Sequence, residues 1–413
     1  MTKPLLDLVV RVHDTVVGRL NRERDGRVRF TLDDAWLAAR QVPVLSLSLL
    51  SRPEPRVAGT GLPTWFDHLL PEVDTPLRRR ICRQYGLRDN DAPGLLRLLG
   101  ADLPGAVVVF GDSDEPDTDP ALASNPPGAP AMRFSLAGVQ LKFSVIAAGD
   151  RYVLPVRGTA GRLIAKVAGA AHPELAEVEA ATMGWARACG HDVPSFSVVE
   201  RETLLDVPLP DDTERLFVIE RFDRPPQGRV HQEDLAQALE IDVAHKYGDS
   251  GPRKTSYDLI TRFVRDAAGD DAARELVARI GFVIASGNGD AHLKNWSLRW
   301  DVADARGPSL APCYDQVSTI AWDEYGWAHA GGATLALGFG RKHTLRDLDR
   351  VRLREFARRS GVPRAEDVLV QSLVAARHAW RAIRESAPRR MCAAIVDHWE
   401  QVPLLRWIGL QDL

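Results

Sequence analysis

Over residues 8–12, 16–20 and 27–30 the chain is β-branched and partly alternating, with Asp25-Gly26 before the last run, so short strands and a tight turn are predicted. Residues 44–50 alternate apolar side chains with serine and read as another half-buried strand. The period then lengthens. Residues 62–70, 75–85 and 92–99 read as helices, and Pro76 suits the first turn of the second. From 112 to 131 the pattern lapses into four Asp, one Glu, five Pro and small residues. Such a stretch buries too little apolar area to order itself and is predicted to be a linker.

Strand patterning returns at 133–145, where small Ala137 and Gly138 mark a bend between two strands. Residues 162–167 form another strand pattern with Lys166 inside it, 172–189 a helix, and 195–200 and 216–223 two more strands. Beyond 230 helical spacing dominates, at 233–239, 256–267, 270–284, 345–360, 365–386 and 387–405, with one short strand at 333–339. No repeats occur. The order implies an α+β chain: a small α+β domain over 1–111, an acidic, proline-rich linker over 112–131, a β-rich lobe over 132–230 and a helical lobe over 231–413.

Composition adds bounds. At 413 residues, 45% hydrophobic and 26% charged, the chain has the make-up of a globular protein with several domains. A net charge of -3 gives no general attraction to nucleic acid. Cys82, Cys189, Cys313 and Cys392 form no C-x-x-C, which fits thiols in a reducing compartment better than a zinc site. The first ten residues lack a signal-peptide core, and no apolar run nears the roughly 20 residues that span a bilayer. A cytoplasmic location without membrane contact is expected.

The chemistry concentrates in Gly287-Asn288-Gly289-Asp290-Ala291-His292-Leu293-Lys294-Asn295, after the apolar run 276–284. Taken alone this is an ordinary turn, since Gly, Asn and Asp favour turns for local reasons. Its Asp290-to-Asn295 spacing is also the D-x-x-x-x-N of a phosphoryl-transfer loop, in which the Asp takes a hydroxyl proton and the Asn holds magnesium. Asp315 follows an apolar approach and supplies a second oxygen ligand of the kind magnesium takes. Upstream, the bend at Ala137 and Gly138 is either an ordinary hairpin or a close approach of backbone N–H groups to phosphate. Lys166 either snorkels outward or points at a triphosphate. Glu179 either lies on a solvated acidic helix face or pairs with that lysine, as a kinase helix glutamate does. The exit of the 216–223 strand can supply backbone hydrogen bonds to an adenine.

Five ordered motifs carry a family resemblance: residues 134–142 (FSLAGVQLK), 220–224 (ERFDR), 231–235 (HQEDL), 288–295 (NGDAHLKN) and 314–315 (YD). They resemble those of HipA-family kinases, the toxins of type II toxin–antitoxin modules. Residues 45–49 and 65–72 are similar to that family's N-terminal domain, so the likeness runs over nearly the whole chain.

The resemblance implies a two-lobed, protein-kinase-like fold with a β-rich N-lobe and an all-helical C-lobe, preceded by the small α+β domain. It implies an ATP- and Mg2+-dependent serine/threonine kinase acting on a protein of the aminoacyl-tRNA synthetase type, halting translation and growth. A HipB-like, DNA-binding antitoxin is the implied partner, with DNA reached only through it. Carried over by position, Asp290 is the catalytic base, and Asn295 and Asp315 are the magnesium ligands. Ala137, Gly138, Val139, Gln140, Leu141 and Lys142 form the phosphate loop, and Lys166 pairs with phosphate. Glu220, Arg221 and Phe222 form the adenine-side hinge. His292, Lys294 and Tyr314 complete the nucleotide site, and Ser135 is the inactivating autophosphorylation position. Leu141, Leu293 and Trp296 depart from the usual pattern without removing a chemical group. A small-molecule kinase, or a nucleotide-binding corepressor of an antitoxin, are the alternative readings.

Overall fold

The computed structural model describes residues 7–39, 43–59, 61–111, 141–154, 161–168, 172–205, 207, 209–248, 254–301, 307–329, 331–340 and 342–411. The acidic stretch 112–131, Ser135 and residues 137–140 lie outside them. The chain divides into two compact units, one of Met1–Gly169, Val199–Ala244 and Trp300–Val302, the other of Ala170–Val198, His245–Arg299 and Ala303–Leu413.

In the first unit the alternating N-terminal runs become β1 (Asp7–Val12), β2 (Thr15–Arg22) and β3 (Val28–Leu32). With β4 (Arg56–Ala58) and β5 (Val107–Gly111) they make an antiparallel sheet in the order β4-β3-β2-β1-β5. Helices cover one face: α1 (Asp34–Ala38), α2 (Leu47–Ser51), α3 (Thr64–Asp67), α4 (Pro76–Gln84) and α5 (Ala92–Leu99). Thr75 and Asp91 cap α4 and α5 by accepting from first-turn N–H groups. The strand expected over 44–50 is not there: Ser46 caps α2 by accepting from Ser48 N. Satisfying a helix-start donor outweighs the short Leu/Ser alternation.

A second sheet in this unit joins β6 (Lys142–Ala148), β7 (Arg151–Val153), β8 (Leu163–Val167) and β10 (Arg215–Glu220) in the order β7-β6-β8-β10, the chain returning to the unit through β9 (Phe196–Glu200). One apolar core runs through both sheets, from Leu8, Phe30 and Phe66 to Phe143, Ala165 and Leu216. The helix expected over 233–239 begins later, because His231–Asp234 is strand β11. Asp234 then caps α7 (Leu235–Ala238) in a reciprocal capping box with Gln237.

The second unit is built on α6 (Leu175–Ala188), α8 (Tyr257–Ser286, broken at Gly269), α9 (Arg350–Ser360), α10 (Ala365–Ile383), α11 (Arg389–Gln401) and α12 (Pro403–Gln411). Trp185 fixes α6 to α10 by donating to Ala376 O at 2.7 Å. The expectation of an all-helical lobe is corrected by β12 (Ser297–Trp300), whose Leu298 and Arg299 pair with β13 (Ser309–Leu310), and by the hairpin of β14 (Thr334–Phe339) and β15 (Lys342–Thr344).

Candidate active site

The last turns of α8 run Ile280-Gly281-Phe282-Val283-Ile284-Ala285, and residues 279–286 are all buried. Such a helix is a core element, so its end is a rigid platform. It stops at Gly287, in the left-handed region at φ 63°, with Asn288 N donating to Val283 O at 3.1 Å. This is a Schellman C-cap. A Cβ at Gly287 would collide with the Ile320 side chain, and one at Gly289 would stand 2.8 Å from Thr334 O. Both glycines are thus required by close approach as well as by backbone shape.

The loop that follows is held from several directions. Buried Asn288 accepts from Asp290 N through Oδ1 (3.0 Å) and donates from Nδ2 to Gln316 Oε1 (3.1 Å). Gln316 in turn donates to Tyr314 O at 3.0 Å. Leu293 N donates to Lys246 O at 3.1 Å, while Tyr257 and Trp296 both donate to Ala291 O. Leu293 and Trp296 are buried, so their departures from the family pattern lie in the loop's support.

The sequence-derived residues of this unit come together here. Asp290 is exposed, and its main-chain O accepts from His292 N (2.7 Å) and from Asn295 Nδ2 (2.8 Å). With its nitrogen end committed, the Asn295 carboxamide turns Oδ1 the other way, which is the end a hard cation takes. Tyr314 donates to Lys294 O at 2.9 Å and accepts from Ser297 Oγ at 2.5 Å, so its hydroxyl braces the loop. Asp315 adopts φ 57°. A non-glycine residue in that region costs free energy and persists where the surroundings enforce it, most often at functional sites. Glu179 is buried on α6, one turn before Thr182, which exchanges hydrogen bonds with Ser318. The solvated-face reading of Glu179 is therefore excluded.

In the first unit, Lys142 of β6 and Phe217 of β10 are both register partners of Lys166 on β8. The three form one row across the sheet. Lys166 is buried rather than snorkelling outward, with Nζ 5.4 Å from the Phe217 ring centroid. The row thus sets two ammonium-bearing side chains directly opposite each other on neighbouring strands. Leu141 lies partly buried against the core, and its O accepts from Val167 N at 3.0 Å. Glu220 is exposed at the end of β10, and Phe222 is half-buried.

Arg221 does something other than what was expected. Its guanidinium is buried and grips Asp223 with two bonds (3.0 and 2.9 Å) and Asp102 with one (3.0 Å). Arg224 bridges the same two carboxylates, and Ser144 and Gly105 N add donors. Burial opposes the charge on Asp223, but the two guanidiniums hold its carboxyl far below the usual range. The backbone N–H of Arg221 is also used, donating to Arg162 O at 2.9 Å. Arg221 thus ties the strand exit to the N-terminal sheet instead of reaching a ligand.

Sequence reasoning passed over Gln316, Tyr257 and Tyr247. The Tyr247 hydroxyl donates to Asp290 Oδ1 at 2.7 Å across 43 residues, a contact without a local signal. Asn288 was legible only as a turn residue. No three His, Cys, Asp or Glu side chains gather as a metal cluster among the described residues. Asn295 and Asp315 are oxygen donors of the type magnesium takes, an ion that keeps several waters and few protein ligands.

Residues 8–110 match the HipA N-terminal domain family, and residues 134–392 match the HipA-like C-terminal domain family. Two relatives from Sinorhizobium fredii bear kinase names: Y4dM, 34% identical over 409 residues and 94% of each chain, and Y4mE, 32% identical over 376 residues and 84% of each. Among solved structures, the fold is similar to a chain of the Shewanella oneidensis HipA, HipB and operator DNA complex, with a TM-score of 0.70 at 21% identity, covering 97% of this chain and 96% of that one.

Proposed function

This chain belongs to the HipA family, and on that premise we propose that it is a serine/threonine protein kinase toxin that moves the γ-phosphoryl of ATP to a protein hydroxyl. The carrying observation is the Asp290–Asn295 loop, fastened through Asn288 and Gln316 to the 314–316 segment that bears Asp315. In the reaction, the acceptor oxygen bonds to the γ-phosphorus as the bridge to the β-phosphate breaks, the hydroxyl proton passes to Asp290, and ADP leaves. A carboxylate of ordinary basicity suffices, because the loose transition state asks little of the base. The lysine row of Lys142 and Lys166 holds phosphate oxygens and the charge that develops on them. Asn295 and Asp315 would hold magnesium, which supplies charge neutralisation across the phosphates when bound. Leu141 and Lys142 end the phosphate loop, whose residues 137–140 are assigned from sequence alone. The Glu220 and Phe222 backbone serves the adenine, and Glu179 serves as the partner of Lys166. His292, Lys294 and Tyr314 complete the nucleotide site.

Exposure of Asp290 suits a macromolecular acceptor better than an enclosed small one. The aminoacyl-tRNA synthetase class of target, a HipB-like antitoxin and self-modification at Ser135 extend the same reading. The solved relative in complex with HipB and operator DNA supports the antitoxin. The test is Asp290→Asn: ATP affinity stays within about twofold while transfer falls by at least about a thousandfold. Retained transfer would remove Asp290 as the base.

A further inference from the structure

Asp290 is an exposed carboxylate, and an exposed aspartate has two equivalent oxygens and a side chain that rotates. Its main chain is already fixed, with N–H on Asn288 Oδ1 and O receiving His292 N and Asn295 Nδ2. The carboxylate is addressed by Tyr247, its hydroxyl lying 2.7 Å from Oδ1 in a charge-assisted bond.

Tyr247 is itself held, although 39% exposed. Its ring stands edge-on to His292 at 5.2 Å and 81°. Lys246 O takes Leu293 N, Gly248 N donates to His245 O, and Thr255 N donates to Gly248 O. The turn bearing Tyr247 and the loop bearing Asp290 are thereby one hydrogen-bonded body. A tyrosine anchored on both sides is a fixed brace rather than a moving cover.

We propose that Tyr247 is a positioning residue for phosphoryl transfer: its phenol holds Asp290 Oδ1 so that Oδ2 meets the acceptor hydroxyl. This rests on the kinase reading above. The energetic reason is geometric, since in-line transfer needs the base aligned with the attacking oxygen, and small misplacements are costly in rate. The hydroxyl transfers no proton in the reaction and touches neither substrate. It acts through Asp290.

The experiment uses the full chain as wild type, Tyr247→Phe and Asp290→Asn, with labelled Mg-ATP and protein from a bacterial lysate as the acceptor mixture. Initial rates are read against ATP concentration, and a melting curve is taken for each. Phenylalanine keeps the ring on His292 and removes only the hydroxyl. The proposal expects kcat to fall by about 10- to 100-fold, with KM for ATP within about twofold and an unchanged melting midpoint. An unchanged kcat overturns it. So does a raised kcat, which would mean that the phenol competes with the acceptor. A loss that tracks melting or ATP affinity also overturns it, as that is a structural role. If Asp290→Asn stays active, the base reading itself fails. If Asp290→Asn is dead and Tyr247→Phe normal, only the role of Tyr247 falls.

Discussion

Glu233 is a fully buried carboxyl that accepts from Leu47 N (2.8 Å) and Trp65 Nε1 (3.1 Å). Burial outweighs these donors and pushes its pKa up to about 7. Its folded-state pKa therefore lies above the unfolded value, and the fold holds a proton that the unfolded chain releases. Stability from this group is fully present below about pH 4.5 and declines as pH rises to about 7, by an amount on the order of 3 kcal/mol. Denaturant midpoints measured from pH 5 to 8 should show this slope in wild type and lose it in Glu233→Gln. Asp223 has the opposite sign. Its depressed carboxyl contributes stability above the ordinary carboxylate pKa, and that stability is lost as pH falls below it. Asp102→Asn should cost about 3–5 kcal/mol in chemical denaturation, because it leaves Arg221 and Arg224 short of a buried counter-charge. These two roles were not legible from sequence. Glu233 and Arg221 read as parts of motifs, and only tertiary partners 119 to 186 residues away disclose what they do.

Elements with local signals read well, and those decided by a cap or a distant partner did not. Helix α5 has the bounds expected from its apolar spacing, with Asp91 capping it. The segment of α2 resembles a strand in sequence because Leu and Ser alternate over too few residues to separate period 2 from one helical turn, and the Ser46 cap decides for helix. The 287–295 loop was legible by residue type and spacing. Its fastening to residues 314–316 was not, since Asn288 to Gln316 spans 28 residues. That cross-tie carries a prediction: Asn288→Ala exposes Asp290 N–H and leaves Gln316 Oε1 without its donor. It should cost about 1–3 kcal/mol in thermal unfolding while reducing transfer by more than the unfolded fraction explains. Transfer that follows the folded fraction alone would show the tie to be structural only. The lysine row belongs to this scale too, because the facing of Lys142 and Lys166 depends on strand register, which no periodicity states.

At the scale of the molecule, the first unit holds the N-terminal sheet and the lysine-bearing sheet on one core, with Arg221, Arg224, Asp102 and Asp223 as the polar bond between them. The N-terminal module is thus a structural partner of the lysine-bearing sheet. The second unit carries Asp290 and Asn295 in the loop that leaves a buried helix end, and Asp315 in the segment that Asn288 ties to that loop through Gln316. No helix among the described residues is long and apolar enough to cross a membrane. Protein phosphorylation by this chain is tested most directly by adding γ-labelled ATP and magnesium to bacterial lysate with wild type or Asp290→Asn, then separating proteins from small molecules. Labelled protein bands with wild type that vanish with Asp290→Asn are the predicted result. Label appearing only in the small-molecule fraction, or bands unchanged by Asp290→Asn, would contradict it.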